Sequence, residues 1–161
     1  MTRGRRDREG VLLVASPGGH LLQMLALEPA WRDRDRVWVT LRSPDVTYLL
    51  REERVIYGHG PTHRNVPNFF RNLRAAWRVL RREDPAVIVS TGAGLALPYF
   101  VLGKLQRRRL VYVESITRVE KLALTGRLVY PLADSFFVQW SSLERLDRAR
   151  FHGSVADGST A

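Results

Sequence analysis

The sequence predicts an α/β fold, a Rossmann-like parallel sheet flanked by helices, and three observations predict it. Short β-rich runs alternate with helical patterns along the 161 residues, as strands joined by crossover helices do. The first run, Val11-Leu12-Leu13-Val14-Ala15, passes into Ser16-Pro17-Gly18-Gly19-His20 and then into the amphipathic stretch Leu21 to Leu27, which reads as strand, glycine turn and helix start. The composition, 45% hydrophobic and 26% charged, is that of a soluble globular domain with a sizeable core.

Taken in order, the candidate strands are Val11–Ala15, Arg36–Leu41, Arg54–Tyr57, Ala86–Ser90, Arg109–Val113 and Ser135–Val138. The first helix runs from His20 to about Trp31, with Pro29 disturbing its end. A short helix starts at Pro44, an N1 position behind Ser43, and longer ones cover Pro67–Arg82, Gly94–Arg107 and Val119–Tyr130. A last helix, Ser141–Arg148, precedes a Gly/Ser/Ala tail. Pro85–Gly103 is uncharged over 19 residues, near the length that spans a bilayer, but three glycines, Pro98 and a strand-like start make it a buried strand-turn-helix. The domain therefore covers 11–152, between a charged arm, 1–10, and a flexible tail, 153–161.

Composition narrows the function. With no cysteine, disulfides and thiolate metal sites are excluded, and His20, His59, His63 and His152 lack metal-ligand spacing. The charged first ten residues carry no signal-peptide core, which places the chain on the cytoplasmic side. The net charge is +10, and 24 of the 26 cationic residues are Arg; such a surface wants an anionic partner, whether nucleic acid, anionic lipid or phosphorylated substrate. No nucleic-acid-binding motif is present and aromatics do not interleave with the arginines as a stacking platform requires, so nucleic acid ranks last. The dinucleotide fingerprint G-x-G-x-x-G is missing after the first strand, Gly103-Lys104 lacks the rest of a P-loop, and no G-x-S-x-G elbow occurs.

In an open parallel sheet the ligand crevice lies outside the carboxyl ends of the strands, and three loops there carry chemistry. Ser16–His20 is an anion cradle: two glycines admit close approach, helix N–H groups point outward, and His20 adds a titratable group. Thr91-Gly92-Ala93-Gly94 is a second small-residue turn into a helix, suited to another anionic group or to tight strand-to-helix packing. Glu114-Ser115-Ile116-Thr117-Arg118 places a carboxylate, hydroxyls and a cation together, with Glu114 either a cap or a catalytic acid or base. Separately, Pro67–Arg82 carries Phe69, Phe70, Leu73, Ala76, Trp77 and Leu80 at helical spacing beside Arg71, Arg74, Arg78, Arg81 and Arg82, with no acid. It reads as a core-packed helix with solvated arginines or as a basic amphipathic helix that holds lipid headgroups.

Ser16-x-Gly18-Gly19-His20, Arg64-Asn65, Ser90-Thr91-Gly92-Ala93, Gly103-Lys104, Glu114, the run Leu124 to Pro131, Asp134 and Phe137-Val138-Gln139-Trp140 together resemble the PssD/CpsF-type bacterial polysaccharide glycosyltransferase subunits. These are similar to the membrane-recruiting subunit of the eukaryotic UDP-GlcNAc transferase that acts on dolichol-pyrophosphate-GlcNAc. The resemblance runs from about Val11 to Gly153 and implies the N-terminal, acceptor-side half of a MurG-like GT-B glycosyltransferase, supplied as a separate polypeptide. It further implies an inverting reaction with no metal and no cofactor, a donor-binding partner subunit that brings the UDP-sugar, a polyprenyl-pyrophosphate-linked saccharide as acceptor, and peripheral attachment to the inner face of the cell membrane. The charged arm Met1–Gly10 stands where the eukaryotic relative carries an anchor, and Ser16-Pro17 stands where MurG has a more glycine-rich turn.

On this reading the acceptor hydroxyl attacks the anomeric carbon of the UDP-sugar while a base takes its proton. His20 is that base or a proton relay, with Glu114 as competing base or as the group that orients the acceptor. Ser16, Gly18, Gly19, Thr91, Gly92, Gly94 and Ser115 bind acceptor phosphate or sugar, and Arg118 adds charge. Phe69, Phe70, Arg71, Arg74, Trp77 and Arg78 contact the membrane. The competing class is a scaffold that recruits and activates a donor-binding subunit without chemistry of its own.

Overall fold

The computed structural model describes residues 10–155; most of the charged arm and the tail from 156 lie outside the described residues. Strands β1 (Val11–Val14), β2 (Arg36–Thr40), β3 (Val55–Tyr57), β4 (Val87–Ser90), β5 (Arg109–Val113), β6 (Ser135–Val138) and β7 (Ala149–Phe151) pair in parallel in one sheet. Their order is β3-β2-β1-β4-β5-β6-β7. The chain winds outward from β1 to β3, then returns to β4 on the other side of β1. The winding therefore switches between β1 and β4, and the crevice at their carboxyl ends is where an open α/β sheet binds ligands.

Helices α1 (Gly19–Ala26), α2 (Glu28–Trp31) and α3 (Pro44–Leu49) lie on one face, and α4 (Val66–Glu83), α5 (Ala96–Leu105) and α6 (Leu124–Val129) on the other. Alternation along β1 serves both faces. Leu12 and Val14 join a core with Ala76, Leu80, Tyr99 and Phe100, while Val11 and Leu13 join one with Leu21, Met24, Trp31 and Trp38. All four β1 residues are buried, as a central parallel strand covered on both sides requires.

The structure differs from the sequence expectation in three places. The first helix breaks at Leu27 into α1 and α2, with Pro29 in the first turn of α2, where its missing N–H costs nothing. The expected helix Val119–Tyr130 shortens to Leu124–Val129, because the Ala123 N–H donates to the Glu114 carboxylate and fixes the start. The expected helix Ser141–Arg148 is a single 3-10 turn, Ser141–Leu143, followed by the unanticipated edge strand β7. There the Arg148 N–H donates to the Tyr130 hydroxyl and its guanidinium to the Ala133 carbonyl, laying the next residues beside β6. Gln139 Oε1 then accepts the N–H of Val155, at the edge of the region expected to be a flexible tail.

For α4, which the sequence left open between two readings, the cap and the buried stripe set which side faces the core. Asn65 caps it by accepting the Asn68 N–H, and the stripe it buries runs through Asn68, Asn72, Ala76 and Leu80 at i, i+4 spacing. Phe70 and Trp77 lie almost opposite that stripe and are 60% and 46% exposed, so they leave the core and join the outward arginines. The two buried asparagines hold the preceding loop. Asn72 accepts the His59 N–H and donates to the His59 carbonyl, while Asn68 donates to the Pro61 carbonyl. No helix among the described residues is long and apolar enough to cross a membrane.

Removing Asn72 strands both polar groups of His59. Asn72→Ala is expected to lower unfolding stability by about 2 kcal/mol, the usual net worth of two lost hydrogen bonds, as read by urea denaturation.

Candidate functional site

The β1–α1 turn follows from its glycine. Gly18 adopts φ +78°, which L side chains rarely take, and α1 begins at the next residue with no side-chain cap and no acid in its first turn. Gly18 and Gly19 are exposed, so the helix N-terminus faces solvent at the switch point. One anion is already beside it: the Gly18 N–H donates to Asp45 Oδ2 at 3.1 Å. Asp45 belongs to the first turn of α3, and the Ser43 hydroxyl, then the Gly18 N–H, hold its carboxyl below the ordinary carboxylate range. Ser16 Oγ, buried behind the turn, has no hydrogen-bond partner among the described residues.

His20 and Thr91 are 71 positions apart and hold each other twice. Thr91 Oγ1 donates to the His20 carbonyl at 2.6 Å, and His20 Nδ1 lies 2.8 Å from the Thr91 carbonyl. A carbonyl only accepts, so Nδ1 carries the proton in this bond and the neutral ring presents its lone pair at Nε2. Gly92, at φ +120°, makes room for this arrangement. A Cβ there would fall 2.8 Å from His20 Cε1 and 3.2 Å from the Tyr112 hydroxyl. Gly94 instead backs onto the loop before α4, since its Cβ would fall 2.7 Å from the Thr62 carbonyl oxygen.

Glu114 is 1% exposed, and both carboxylate oxygens are engaged. Oε1 accepts the Ser115 N–H at 2.8 Å and Oε2 the Ala123 N–H at 3.1 Å. Burial pushes its carboxyl above the ordinary range, while those two N–H groups and the Arg118 charge pull it back. Gly126 is required by this packing, as a Cβ there would collide with Glu114 Oε2. The carboxylate thus closes the loop of residues 115–123 onto the start of α6. Ser115 and Thr117 share a hydroxyl contact of 2.9 Å within that loop, and Arg118 is exposed on it.

The structure brings the sequence-predicted loops to one edge and adds three residues the sequence reading missed. Gln23 donates to the Glu114 carbonyl and accepts the Ile116 N–H, tying α1 to the third loop. Its signal was a glutamine inside an otherwise apolar helix face. Tyr112 places a buried hydroxyl without a partner among the described residues under Gly92, and its only signal was position on a core strand. Asp45 gave none, because its contact with Gly18 crosses 27 positions. Phe69, Phe70, Arg71, Arg74, Trp77 and Arg78 lie on α4, apart from these loops, with Phe69 and Phe70 edge to face at 5.5 Å. Among the described residues no group of three or more His, Asp or Glu stands where it could hold a metal ion.

Residues 59–155 match the family described as "Oligosaccharide biosynthesis protein Alg14 like". The chain belongs to that family. A relative from Eremothecium gossypii, UDP-N-acetylglucosamine transferase subunit ALG14, is 35% identical over 94% of this chain and 82% of its own length. The Homo sapiens protein of the same name is 28% identical over 93% of this chain and 84% of its own. Among solved structures, Acinetobacter baumannii MurG superposes with a TM-score of 0.73 at 13% identity, over 89% of this chain and 45% of MurG. UDP-N-acetylglucosamine 2-epimerase from Rickettsia bellii gives 0.73 at 10% identity, over 94% of this chain and 46% of its own. At these identities the structures establish the fold, that of one Rossmann-like half of a GT-B protein, and the chain spans less than half of each.

Because its carboxyl is raised, Glu114 binds a proton more readily in the folded than in the unfolded chain. Its contribution to stability is then fullest below the ordinary glutamate value and falls as pH climbs through the raised one. Glu114→Gln, which cannot titrate and turns an amide NH₂ toward a backbone N–H, is expected to lose that slope and about 1–3 kcal/mol of stability at neutral pH. Denaturation curves of both proteins from pH 4 to 8 check this.

Proposed function

We propose that this chain is the acceptor-binding, membrane-associating half of a two-polypeptide glycosyltransferase, which moves a sugar from a UDP-sugar to a polyprenyl-pyrophosphate-linked saccharide. Within its family we place it with the PssD/CpsF-type subunits, on the motifs from Ser16 to Trp140. The observation that carries the reading is the His20–Thr91 pair at the switch point, with the imidazole Nε2 lone pair available beside an uncapped helix N-terminus. Family membership and the GT-B fold support it.

In the proposed reaction the acceptor's diphosphate lies against the N–H groups of Gly18 and Gly19, displacing or adjoining Asp45. His20 Nε2 accepts the proton of the acceptor hydroxyl as that oxygen attacks the anomeric carbon, and UDP leaves with the bonding electrons. The partner subunit binds the UDP-sugar and supplies the donor side of the cleft. Thr91 and Gly92 fix the imidazole. Glu114, whose oxygens already hold two backbone N–H groups, shapes the acceptor loop carrying Ser115 and Arg118; this engagement favours His20 over Glu114 as the base.

The isolated chain is expected to transfer no sugar, and activity is expected when the donor-binding subunit is added. In that reconstituted pair His20→Ala should lower kcat by roughly 10²–10⁴-fold, with thermal midpoint and subunit affinity retained. Transfer by this chain alone overturns the half-enzyme reading. A His20→Ala pair of full activity favours the scaffold reading, in which the partner carries the chemistry.

The outward face of α4, with Phe70 and Trp77 among Arg71, Arg74 and Arg78, is proposed to rest on the anionic inner face of the cell membrane. Each cation near such a surface contributes on the order of 1 kcal/mol, screened by salt. Co-sedimentation with anionic liposomes should weaken as salt rises and when the three arginines become Gln. Equal binding to neutral liposomes counts against it.

A further inference from the structure

The loop between β3 and α4, residues 58–65, borders the switch point. The Gly58 N–H donates to the Thr40 carbonyl at the end of β2, and a Cβ at Gly60 would stand 3.2 Å from Leu41 Cδ1. Two residues on, the Thr62 carbonyl presses against Gly94 in the turn that follows β4. β1 lies between β2 and β4 in the sheet, so a loop that touches both ends runs past the carboxyl end of β1, where Gly18, Gly19 and His20 stand. Asn65, Asn68 and Asn72 fix its course through the cap of α4 and the bonds to His59 and Pro61.

Arg64 sits in this loop at φ +46°, a left-handed conformation that glycine or asparagine takes more readily than a long side chain. Such outliers persist where the surroundings over-determine them, and they cluster at ligand sites. Arg64 is exposed, and its guanidinium makes no hydrogen bond, ion pair or ring contact with any described residue. No acid occurs between Glu53 and Glu83, so nothing along the chain offsets its charge. Arg118, by contrast, spends part of its field on the Glu114 carboxylate. The outward face of α4 begins two residues after Arg64, with Val66 and Phe70 exposed. Arg64 therefore stands where the proposed membrane face meets the carboxyl edge of the sheet.

We propose that Arg64 is a positioning residue for the acceptor: its guanidinium takes the lipid-linked diphosphate at the edge of the membrane and holds it against the Gly18–Gly19 turn. The proposal rests on the half-enzyme reading above and names the cation that meets the diphosphate first. With its tail in the hydrocarbon, the acceptor carries its phosphates at headgroup depth, the level at which the start of α4 would lie. The turn itself offers backbone N–H groups and the Asp45 carboxylate, but no cation. A planar guanidinium meets phosphate oxygens in pairs, where an ammonium acts as a point charge.

The test replaces Arg64 with Gly, which removes the charge and relaxes the backbone, and with Lys, which keeps the charge without the fork. Arg64→Gly is expected to keep or raise the thermal midpoint. Its affinity for neutral phosphatidylcholine vesicles carrying a polyprenyl-diphosphate sugar, read by co-sedimentation, should fall roughly 10-fold, while binding to phosphatidylglycerol vesicles without that lipid stays within about twofold. Paired with the donor-binding subunit, Arg64→Gly should raise KM for the acceptor about 10-fold at unchanged kcat, and Arg64→Lys should return to within about threefold of the wild type. An Arg64→Gly chain that keeps its affinity for the diphosphate vesicles overturns the proposal. An equal loss on both kinds of vesicle also overturns it, assigning Arg64 to lipid headgroups, and so does a loss that Arg64→Lys shares in full. A wild-type chain with no preference for the diphosphate vesicles over plain phosphatidylcholine removes the acceptor site as a whole. Transfer by the wild-type chain alone removes the half-enzyme reading itself.

Discussion

The doubled hydrogen bond between His20 and Thr91 joins the carboxyl ends of β1 and β4, the one pair of neighbouring strands the chain does not connect directly at the switch point. The other site contacts depend on it. With the ring held under the Thr91 carbonyl, the space at Gly92 becomes obligatory, the Tyr112 hydroxyl is enclosed beneath the turn, and α1 is aligned so that Gln23 reaches the Glu114 loop. The ring bond to the Thr91 carbonyl sets the tautomer, and the Thr91 hydroxyl holds the His20 backbone in place beneath it.

One half-buried and one buried group divide the work of organising the edge. His20 is fixed by one ring nitrogen and keeps the other available. Glu114 spends both oxygens on backbone and keeps neither. The pair illustrates why a carboxylate behind a strand is not by itself a base: closing a nine-residue connection onto a short helix engages both of its oxygens. Gly126 is the cost of that choice on α6, as Gly92 is on the turn before α5.

Much of the architecture could be read from periodicity. Six of the seven strands, the short helix behind Ser43 and the glycine turn into α1 were legible, because each has a local cause in alternation, capping or a breaker residue. The seventh strand was not, since Ala149-Arg150-Phe151 is short, flanked by charge, and placed by Arg148 contacts made with residues 15 and 18 positions earlier. Periodicity left the face of α4 open between core and lipid, because Phe70 and Trp77 fall in an apolar stripe that suits either, whereas the two asparagines that hold the His59 loop and claim the buried side are invisible to a hydrophobic pattern. At the site, residue types gave His20, Thr91 and Gly92, whereas Gln23, Tyr112 and Asp45 required the fold.

The arginine stripe of α4 also bears on the helix itself. Arg71, Arg74, Arg78, Arg81 and Arg82 recur at spacings of three and four, where like charges are neighbours and each pair weakens a helix by some tenths of a kcal/mol. In water only part of this is relieved, by Arg82 against Glu83 and Arg81 over the Trp77 ring. An anionic surface would neutralise the stripe at a stroke, so the helix that makes the contact would be stiffened by making it. Asn68 and Asn72 on its inner side tie that helix to the loop of residues 59–61, so the loop would be firmer on a charged surface than in solution.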